Sequence, residues 1–221
     1  MTREQNVFLA KKLFTELVFN TAYIEGVNVT FPQTQAILDG AVVNNIAVSD
    51  IQTVLNLRDA WKYSLDTLDE PLSLDYICSI NEKVSRNESL DWGKLRYGNV
   101  GVSGTDYKPP IPNAQEVSMK LKELLQIENV RERALEYFCY AVHGQLFWDG
   151  NKRTSTIVAS KILIESGEGV LTIGKSDALD FNEALLHLYD TGDKEMLKKC
   201  LNGCIKTLEI KKEKKHTEYE Y

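Results

Sequence analysis

The chain has 221 residues, of which 43% are hydrophobic and 26% are charged, and this composition is ordinary for a soluble globular protein. Its net charge of −6 gives no expectation of sequence-independent binding to nucleic acid. No apolar run approaches membrane-spanning length and the N-terminus lacks a signal-peptide pattern, so we expect a cytoplasmic protein without a membrane partner.

The first predicted element is an amphipathic helix from Glu4 to Ile24, because apolar residues recur with helical period. Gly26 is a typical helix stop. Glu25 would then be a carboxylate at the negative end of a helix dipole, which is mildly unfavourable. Either a cationic partner lies elsewhere in the fold, or the side chain is exposed and solvated.

The next stretch predicts three more helices. Thr30 is placed to cap a short helix that opens with Phe31 and Pro32. Ser49 or Asp50 would cap a helix over Ile51 to Leu68, and a further helix covers Leu72 to Glu88. Their apolar stripes indicate core packing rather than contacts with a cofactor.

Residues Trp92 to Pro112 break the helical pattern. Three glycines, alternation at Val100 and Val102, and a Pro–Pro pair predict a β-hairpin or flap. An exposed edge of this kind can accept an extended peptide as an added strand. The alternative is a long structural loop that only packs on the helices.

The second half of the chain is again helical. The predicted helices run from Asn113 or Ala114 to Ile127, Arg131 to His143, Asn151 to Ile164, Asp177 to Leu188 and Lys194 to Leu208, with an extended connector at Gly169 to Ile173. Residues 209–221 form a charged tail without a core pattern, for which we expect fraying or disorder.

The four cysteines are Cys78, Cys139, Cys200 and Cys204, and we expect reduced, mostly buried thiols. Cys200 and Cys204 have helical spacing, but no His–Cys pair lies nearby to complete a zinc site.

The loop Q-L-F-W-D-G-N-K-R, residues 145–153, joins two of the predicted helices. Free N–H groups and the dipole at the start of a helix favour an anion such as phosphate. Gly150 permits close approach of the backbone, Lys152 and Arg153 add positive charge, and Asp149 can hold a divalent cation. The alternative is a polar helix cap, but the flanking apolar helices favour a binding site.

This loop resembles the signature of the Fic/Doc (Fido) family, H-x-F-x-[D/E]-G-N-[G/K]-R. Phe147 and the run from Asp149 to Arg153 match it position by position. The resemblance implies an all-α fold, a Fic-type helical bundle with a β-hairpin flap. It also implies transfer of part of a nucleotide, usually AMP from ATP with Mg2+, onto a hydroxyl of a target protein. In that reading Asp149 holds the metal, while Gly150, Asn151, Lys152 and Arg153 bind the nucleotide phosphates.

The family's catalytic histidine is replaced here by Gln145. In the family this histidine is the general base, and a glutamine amide cannot carry a proton away. His143 lies two residues upstream and would serve as an alternative base only if the loop bulged. Without a bulge, Gln145 faces the phosphates and His143 is a core or supporting residue.

Two further features resemble the family. T-A-Y-I-E-G, residues 21–26, matches an inhibitory motif whose glutamate pairs with a second signature arginine, but that position is Thr156 here. Glu25 would then inhibit by reaching Arg153 or the Thr156 hydroxyl. The flap at Val100, Gly101, Val102 and Ser103 corresponds to the segment that docks the target by strand addition.

The resemblance divides the chain into N-terminal helices with the inhibitory motif (1–45), a Fic core (46–208) and the tail (209–221). We expect a weak or non-standard transferase, and since Lys152 resembles the Doc branch, phosphate is an alternative to AMP. The competing hypotheses are an inactive nucleotide-sensing or protein-binding module and a toxin–antitoxin component. A homo-oligomer is compatible with each of them.

Overall fold

The computed structural model describes residues 1–208, and the tail predicted for residues 209–221 lies outside the described residues. Within residues 1–208, ten helices and two short strands form an α-helical bundle. The helices are α1 Arg3–Lys12, α2 Phe14–Tyr23, α3 Phe31–Leu38, α4 Val48–Asp66, α5 Leu74–Ser85, α6 Ala114–Leu125, α7 Val130–Gly144, α8 Asn151–Glu165, α9 Ala178–Thr191 and α10 Glu195–Gly203; the strands are β1 Val170–Leu171 and β2 Ile205–Lys206.

Helix α8 lies at the centre of the bundle. Of its 15 residues, 13 are buried, and it packs against α1, α2, α4, α5, α7 and β1. Small polar side chains such as Thr154, Ser155 and Ser160 allow several helices to approach it closely. Lys161 is buried as well, and its charge is satisfied by the Leu68 carbonyl at 3.1 Å and Glu165 at 2.5 Å. The start of this central helix is therefore held from several sides.

The prediction of one helix from Glu4 to Ile24 is wrong, because the backbone leaves helical geometry at Leu13 and separates α1 from α2. These N-terminal helices are fastened to the core by amide side chains. Asn6 donates to the carbonyls of Gly169 at 2.8 Å and Leu163 at 3.3 Å, and Asn20 donates to Thr172 at 2.9 Å. These bonds fix the end of α2, and hence Glu25, relative to α8.

Several predicted helix starts are confirmed. Thr30 caps α3 with a reciprocal bond to Gln33, and Asn113 caps α6. The predicted cap of α4 at Ser49 or Asp50 is wrong, since the helix begins at Val48. The predicted helix from Lys194 to Leu208 ends early at Gly203, because the next residues pair with β1 as β2.

The β-structure differs in place from the predicted hairpin. β1 and β2 are antiparallel, with Val170 opposite Lys206. Residues 92–112, called the flap here, contain no strand and run as bends and extended chain. The Pro109–Pro110 pair lacks two backbone donors that a hairpin ladder would use. A two-stranded sheet is thus present, but its second strand follows α10 and neither strand lies in the flap.

All four cysteines are free thiols. Within the described residues, the helices are too short or too polar to cross a bilayer.

Candidate functional site

A cavity of about 340 Å³ lies where the loop 145–152 meets the flap, helix α9 and the end of α2. Its walls thus come from four segments that are distant in sequence. The lining residues are Glu25, Gly101, Val102, Ser103, Gln145, Trp148, Asp149, Asn151, Lys152, Asn182, Leu185, Leu186 and Tyr189.

The loop between α7 and α8 is shaped by two residues in left-handed conformation. Gln145 ends α7 at φ 43°, and Gly150 precedes α8 at φ 73°. Asn151 closes the loop between them, because its side chain accepts from the Phe147 N–H and donates to the Phe147 carbonyl, both at 2.9 Å. The apolar Phe147 is buried beneath. The predicted loop at the start of a helix is therefore a rigid, hydrogen-bonded turn.

Gly150 has a different role from the one expected. It does not line the cavity but faces α5, where a Cβ atom would lie 2.7 Å from Val84 and would collide with Ser85. The glycine thus permits close packing of the start of α8 on α5. Asn151 and Lys152, the two residues after Gly150, line the cavity instead.

Gln145 lines the cavity, and its side chain is fully engaged. Its Nε2 donates to the Val142 carbonyl at 2.8 Å and to the Tyr189 hydroxyl at 2.9 Å, while its Oε1 accepts from Asn151 at 3.0 Å. The amide fixes the loop to α7 and α9. It has no group that accepts a proton near neutral pH.

His143 is not brought into this cavity. Its ring stacks on Tyr107 with centroids 4.4 Å apart, and its Nδ1 lies 3.2 Å from the Tyr107 hydroxyl. It lines a separate, smaller cavity. Burial lowers the pKa of His143. The loop does not bulge, so the alternative base stays outside the site.

Asp149 lies at the rim of the cavity with its side chain 45% exposed. One carboxylate oxygen accepts from the Gly150 N–H at 2.6 Å, and the other lies 3.1 Å from Arg153. Within residues 1–208, no group of three or more His, Cys, Asp or Glu side chains is arranged to hold a metal. Asp149 can therefore offer a cation one carboxylate, and further ligands would come from water or a bound phosphate.

Arg153 does not line the cavity. Its side chain is only 4% exposed and pairs with Glu88 at 2.6 Å as well as with Asp149. It also donates to the Val84 carbonyl at 3.3 Å. The sequence predicted that this guanidinium binds phosphate. In the structure it links Asp149 and the start of α8 to α5.

Glu25 and Lys152 face each other across the cavity, with Oε1 and Nζ 3.8 Å apart. The Lys152 ammonium also donates to the Ile24 carbonyl at 3.0 Å, at the negative end of α2. Glu25 Oε1 is buried and has no hydrogen-bond partner in the described part of the chain. Burial raises the pKa of Glu25, and Lys152 partly offsets this effect.

Within the described residues, neither of the two partners expected from the sequence makes a hydrogen bond or salt bridge with Glu25, although the Arg153 charge also acts to lower the pKa of Glu25. Thr156 donates its hydroxyl to the Lys152 carbonyl within α8, at 2.9 Å. The cationic partner inferred from the helix dipole is present, but it is Lys152 rather than Arg153.

The flap covers one side of the cavity with Gly101, Val102 and Ser103, and Val100 does not line it. Its far end is held to α9 by a hydrogen bond from the Thr105 hydroxyl to Asp190. The flap therefore forms a wall of the cavity without forming a sheet edge.

Several residues of the site were not predicted from the sequence, among them the α9 residues Asn182, Leu185 and Leu186. Tyr189 and Trp148 line the cavity, and Arg96 is buried beneath it. The sequence gives only a weak signal for Arg96, a cation just before the glycine-rich stretch. Tyr189 gives none, because its position on an amphipathic helix is typical of core packing.

The comparison with protein families matches residues 71–163 to the Fic/DOC family. The matched segment begins just before α5 and ends within α8, so it contains the flap and the loop that carry the cavity.

Two curated relatives are both named protein adenylyltransferase Fic. The one from Nematostella vectensis is 28% identical over 187 residues, which cover 79% of this chain and 43% of the relative. The one from Aedes aegypti is 26% identical and covers 75% of this chain and 35% of the relative. The chain therefore spans less than half the length of these relatives.

Solved structures share the fold. Residues 134–508 of Fic-1 from C. elegans superpose with a TM-score of 0.76 at 21% identity, covering 86% of this chain and 59% of that one. A Fic domain-containing signalling protein from Bacteroides thetaiotaomicron gives a TM-score of 0.74 at 16% identity, covering 88% and 83%. Residues 71–163 thus match the Fic/DOC family, and the fold of most of the chain is shared with solved Fic proteins.

Proposed function

We propose that the chain binds ATP with Mg2+ in the cavity between the start of α8 and the flap, and transfers AMP to a hydroxyl of a target protein at a reduced rate. The observation that carries this proposal is the meeting of a helix start, a lysine and a rim carboxylate in one cavity. The adenylyltransferase names of the relatives support AMP as the transferred group.

The start of α8 supplies the phosphate-binding features. Gly150 gives this helix no side-chain cap, so its first N–H groups are available to an anion, and the helix dipole favours negative charge there. Lys152 adds a positive charge on the cavity wall. A triphosphate would lie along this wall, with Asp149 at the rim.

Asp149 suits a magnesium ion held jointly with the nucleotide. Mg2+ keeps several waters and takes one or two carboxylates plus substrate phosphates, which fits a single carboxylate at the rim. The ion would neutralise charge on the phosphates. The ion pair with Arg153 holds the Asp149 side chain in its orientation.

Gln145 explains why transfer should be slow. It occupies the position of the family's base but cannot remove the proton from an attacking hydroxyl. Phosphoryl and nucleotidyl transfer depend largely on positioning and charge stabilisation, so the reaction can proceed without that base. Lys152 gives the loop the form found in the Doc branch, which keeps phosphate as an alternative transferred group.

Glu25 is proposed to restrain the site through Lys152. While the carboxylate faces Lys152, the lysine is drawn toward the end of α2. An incoming phosphate must compete with Glu25 for this cation and is repelled by its charge. Replacing Glu25 should therefore strengthen nucleotide binding.

The flap is proposed to dock the target protein. Gly101 and Ser103 are exposed and border the cavity, so a peptide lying along them would bring its hydroxyl close to the bound nucleotide. Main-chain pairing with such a segment gives affinity, and side-chain pockets give specificity.

A second candidate is a nucleotide-binding module without transfer activity. It is favoured by one observation, that all hydrogen-bonding atoms of the Gln145 amide are used to hold the loop. In this case the protein would respond to nucleotide by changing how the flap holds a partner.

The test is incubation of the protein with ATP and Mg2+, read by intact mass. The unchanged protein, Gln145→His and Glu25→Gly are compared, and Asp149→Asn serves as the control that should block transfer. We expect slow addition of AMP to the protein itself, faster addition in Gln145→His and none in Asp149→Asn. Nucleotide binding without addition in the first two proteins would favour the second candidate.

A further inference from the structure

Arg96 is a buried arginine at the start of the flap. It is 1% exposed, although arginine is rarely buried without a charged partner. Within residues 1–208 no salt bridge includes it, and all of its side-chain hydrogen bonds go to backbone carbonyls. Its positive charge is therefore compensated only by peptide dipoles.

The carbonyls bonded by Arg96 belong to two segments, the flap and the end of α7, each of which also carries residues that line the cavity. From the flap, Arg96 binds the carbonyls of Gly98 at 2.6 Å, Pro110 at 2.5 Å and Pro109 at 3.1 Å. These positions are the two ends of the flap segment that carries Gly101 to Ser103. The Arg96 guanidinium thus joins the two ends of this flap segment.

The other carbonyls bonded by Arg96 lie at the end of α7. Nε binds the Gln145 carbonyl at 2.5 Å, and Nη2 reaches the Gly144 carbonyl at 3.3 Å. The Arg96 N–H also donates to Leu146 at 3.0 Å. These bonds hold the end of α7 at Gln145, which adopts a left-handed conformation that is unfavourable for a residue other than glycine.

A guanidinium is suited to this arrangement because its five N–H donors are fixed in one plane. An ammonium group has three donors on a flexible stem and cannot reach five carbonyls from two directions at once. The geometry therefore depends on arginine, and not only on a buried positive charge.

We propose that Arg96 is a positioning residue that joins the flap to the loop 145–149, so that the target-docking wall and the nucleotide wall of the cavity move as one unit. This inference rests on the proposed function for its ligands. The joint itself can be tested without any ligand.

The first measurement is hydrogen exchange of the hydrogen-bonded amides in two segments, in the unchanged protein and in Arg96→Met. These amides are Arg96 and Tyr107 in the flap and Gln145 and Phe147 in the loop. We expect exchange in both segments to accelerate together by about tenfold or more, the factor for a loss of about 1.4 kcal/mol of local stability. Arg96→Lys keeps the positive charge and is used in case the methionine variant fails to fold. It should show the same acceleration of exchange in both segments.

The matched control is Lys161→Met, which removes another buried cation, bonded to Leu68 and Glu165 and distant from the cavity lining. It should lower the melting temperature without accelerating exchange selectively in the two segments. Acceleration confined to one segment in the Arg96 variants, or the same pattern in Lys161→Met, would overturn the proposal.

A second measurement separates this proposal from the function it rests on. ATP with Mg2+ is titrated into the same proteins, and its Kd should rise about tenfold in both Arg96 variants but stay unchanged in Lys161→Met. Failure of ATP to bind the unchanged protein would refute the proposed function, while the exchange data would still decide whether Arg96 joins the two walls. An unchanged Kd in the Arg96 variants would overturn the positioning role.

Discussion

At the scale of a single residue, Gln145 holds the loop that lines the cavity. Its amide bonds to α7, to α9 and to Asn151, so it holds the loop from three sides. The helix start, Lys152 and Asp149 remain in place around it. Under the proposed function, the cavity keeps the groups that bind the nucleotide, while the Gln145 amide cannot act as a general base.

The titration of Glu25 gives a testable prediction about a single residue. Burial raises its pKa in the folded protein above the ordinary 4.5, so the folded state binds this proton more tightly than the unfolded chain. The unchanged protein therefore loses stability as the pH rises from 4.5 through the raised pKa. Glu25→Gln does not titrate, and its melting temperature should exceed that of the unchanged protein by a margin that grows over this range.

The measurement is thermal unfolding of both proteins at a series of pH values, read by circular dichroism. Only the difference between the two proteins is used, since other acids contribute equally to both curves. A difference that stays constant with pH, or shrinks as the pH rises, would contradict the burial of a charged carboxylate at Glu25.

Among the elements, the start of α8 depends on a glycine that contacts α5. Gly150 and Gly192 have nearly the same left-handed φ, 73° and 77°, but a Cβ would collide with α5 at the first and meets open space at the second. Gly192→Ala should cost about 1 kcal/mol of unfolding free energy from the backbone alone. Gly150→Ala should cost more than about 2 kcal/mol because α8 must also shift.

Chemical denaturation of the two glycine variants measures this difference. Gly150→Ala should also weaken nucleotide binding, whereas Gly192→Ala should not, because Gly192 lies outside the cavity lining. Equal costs for the two variants would mean that the packing of α8 on α5 does not require glycine.

Elements with strong local signals were predictable from the sequence. Thr30 and Asn113 cap helices as expected, because capping depends on residues within one turn. The ends of α10 and the form of the flap were not predictable, since both are decided by distant partners. Gly203 ends α10 where the chain must pair with β1, and Arg96 draws the flap onto α7.

The site was predictable only in its sequence-local part. Asp149 and Lys152 come from one loop, and both line the cavity. Arg153 comes from the same loop but is turned toward Glu88, and that direction depends on how α8 packs on α5. The spacing of residues cannot show which side of a helix start faces a ligand.

At the scale of the whole molecule, the N-terminal helices are bonded to the far end of α8. Asn6 is fully buried and donates to two carbonyls that belong to α8 and the turn before β1. Asn6→Ala would remove this donor from the Gly169 carbonyl, while the Leu163 carbonyl keeps two backbone donors, and should cost about 1 kcal/mol of unfolding free energy. The exposed Asn202→Ala on α10 is the control and should change stability by less than about 0.5 kcal/mol.

Denaturant unfolding followed by circular dichroism and by tryptophan fluorescence tests this prediction. We expect one coincident transition for both probes, because α1 and α2 pack on the same central helix as the rest of the bundle. A separate early transition in Asn6→Ala would show instead that the N-terminal helices unfold as an independent unit.

Nucleotide binding is tested most directly by calorimetric titration of ATP with Mg2+ into the unchanged protein, Asp149→Asn and the exposed control Asp66→Asn. We expect one binding site, an affinity at least about tenfold weaker in Asp149→Asn, and no change in Asp66→Asn. Absence of binding to the unchanged protein, or equal affinity in all three, would contradict nucleotide binding at the start of α8.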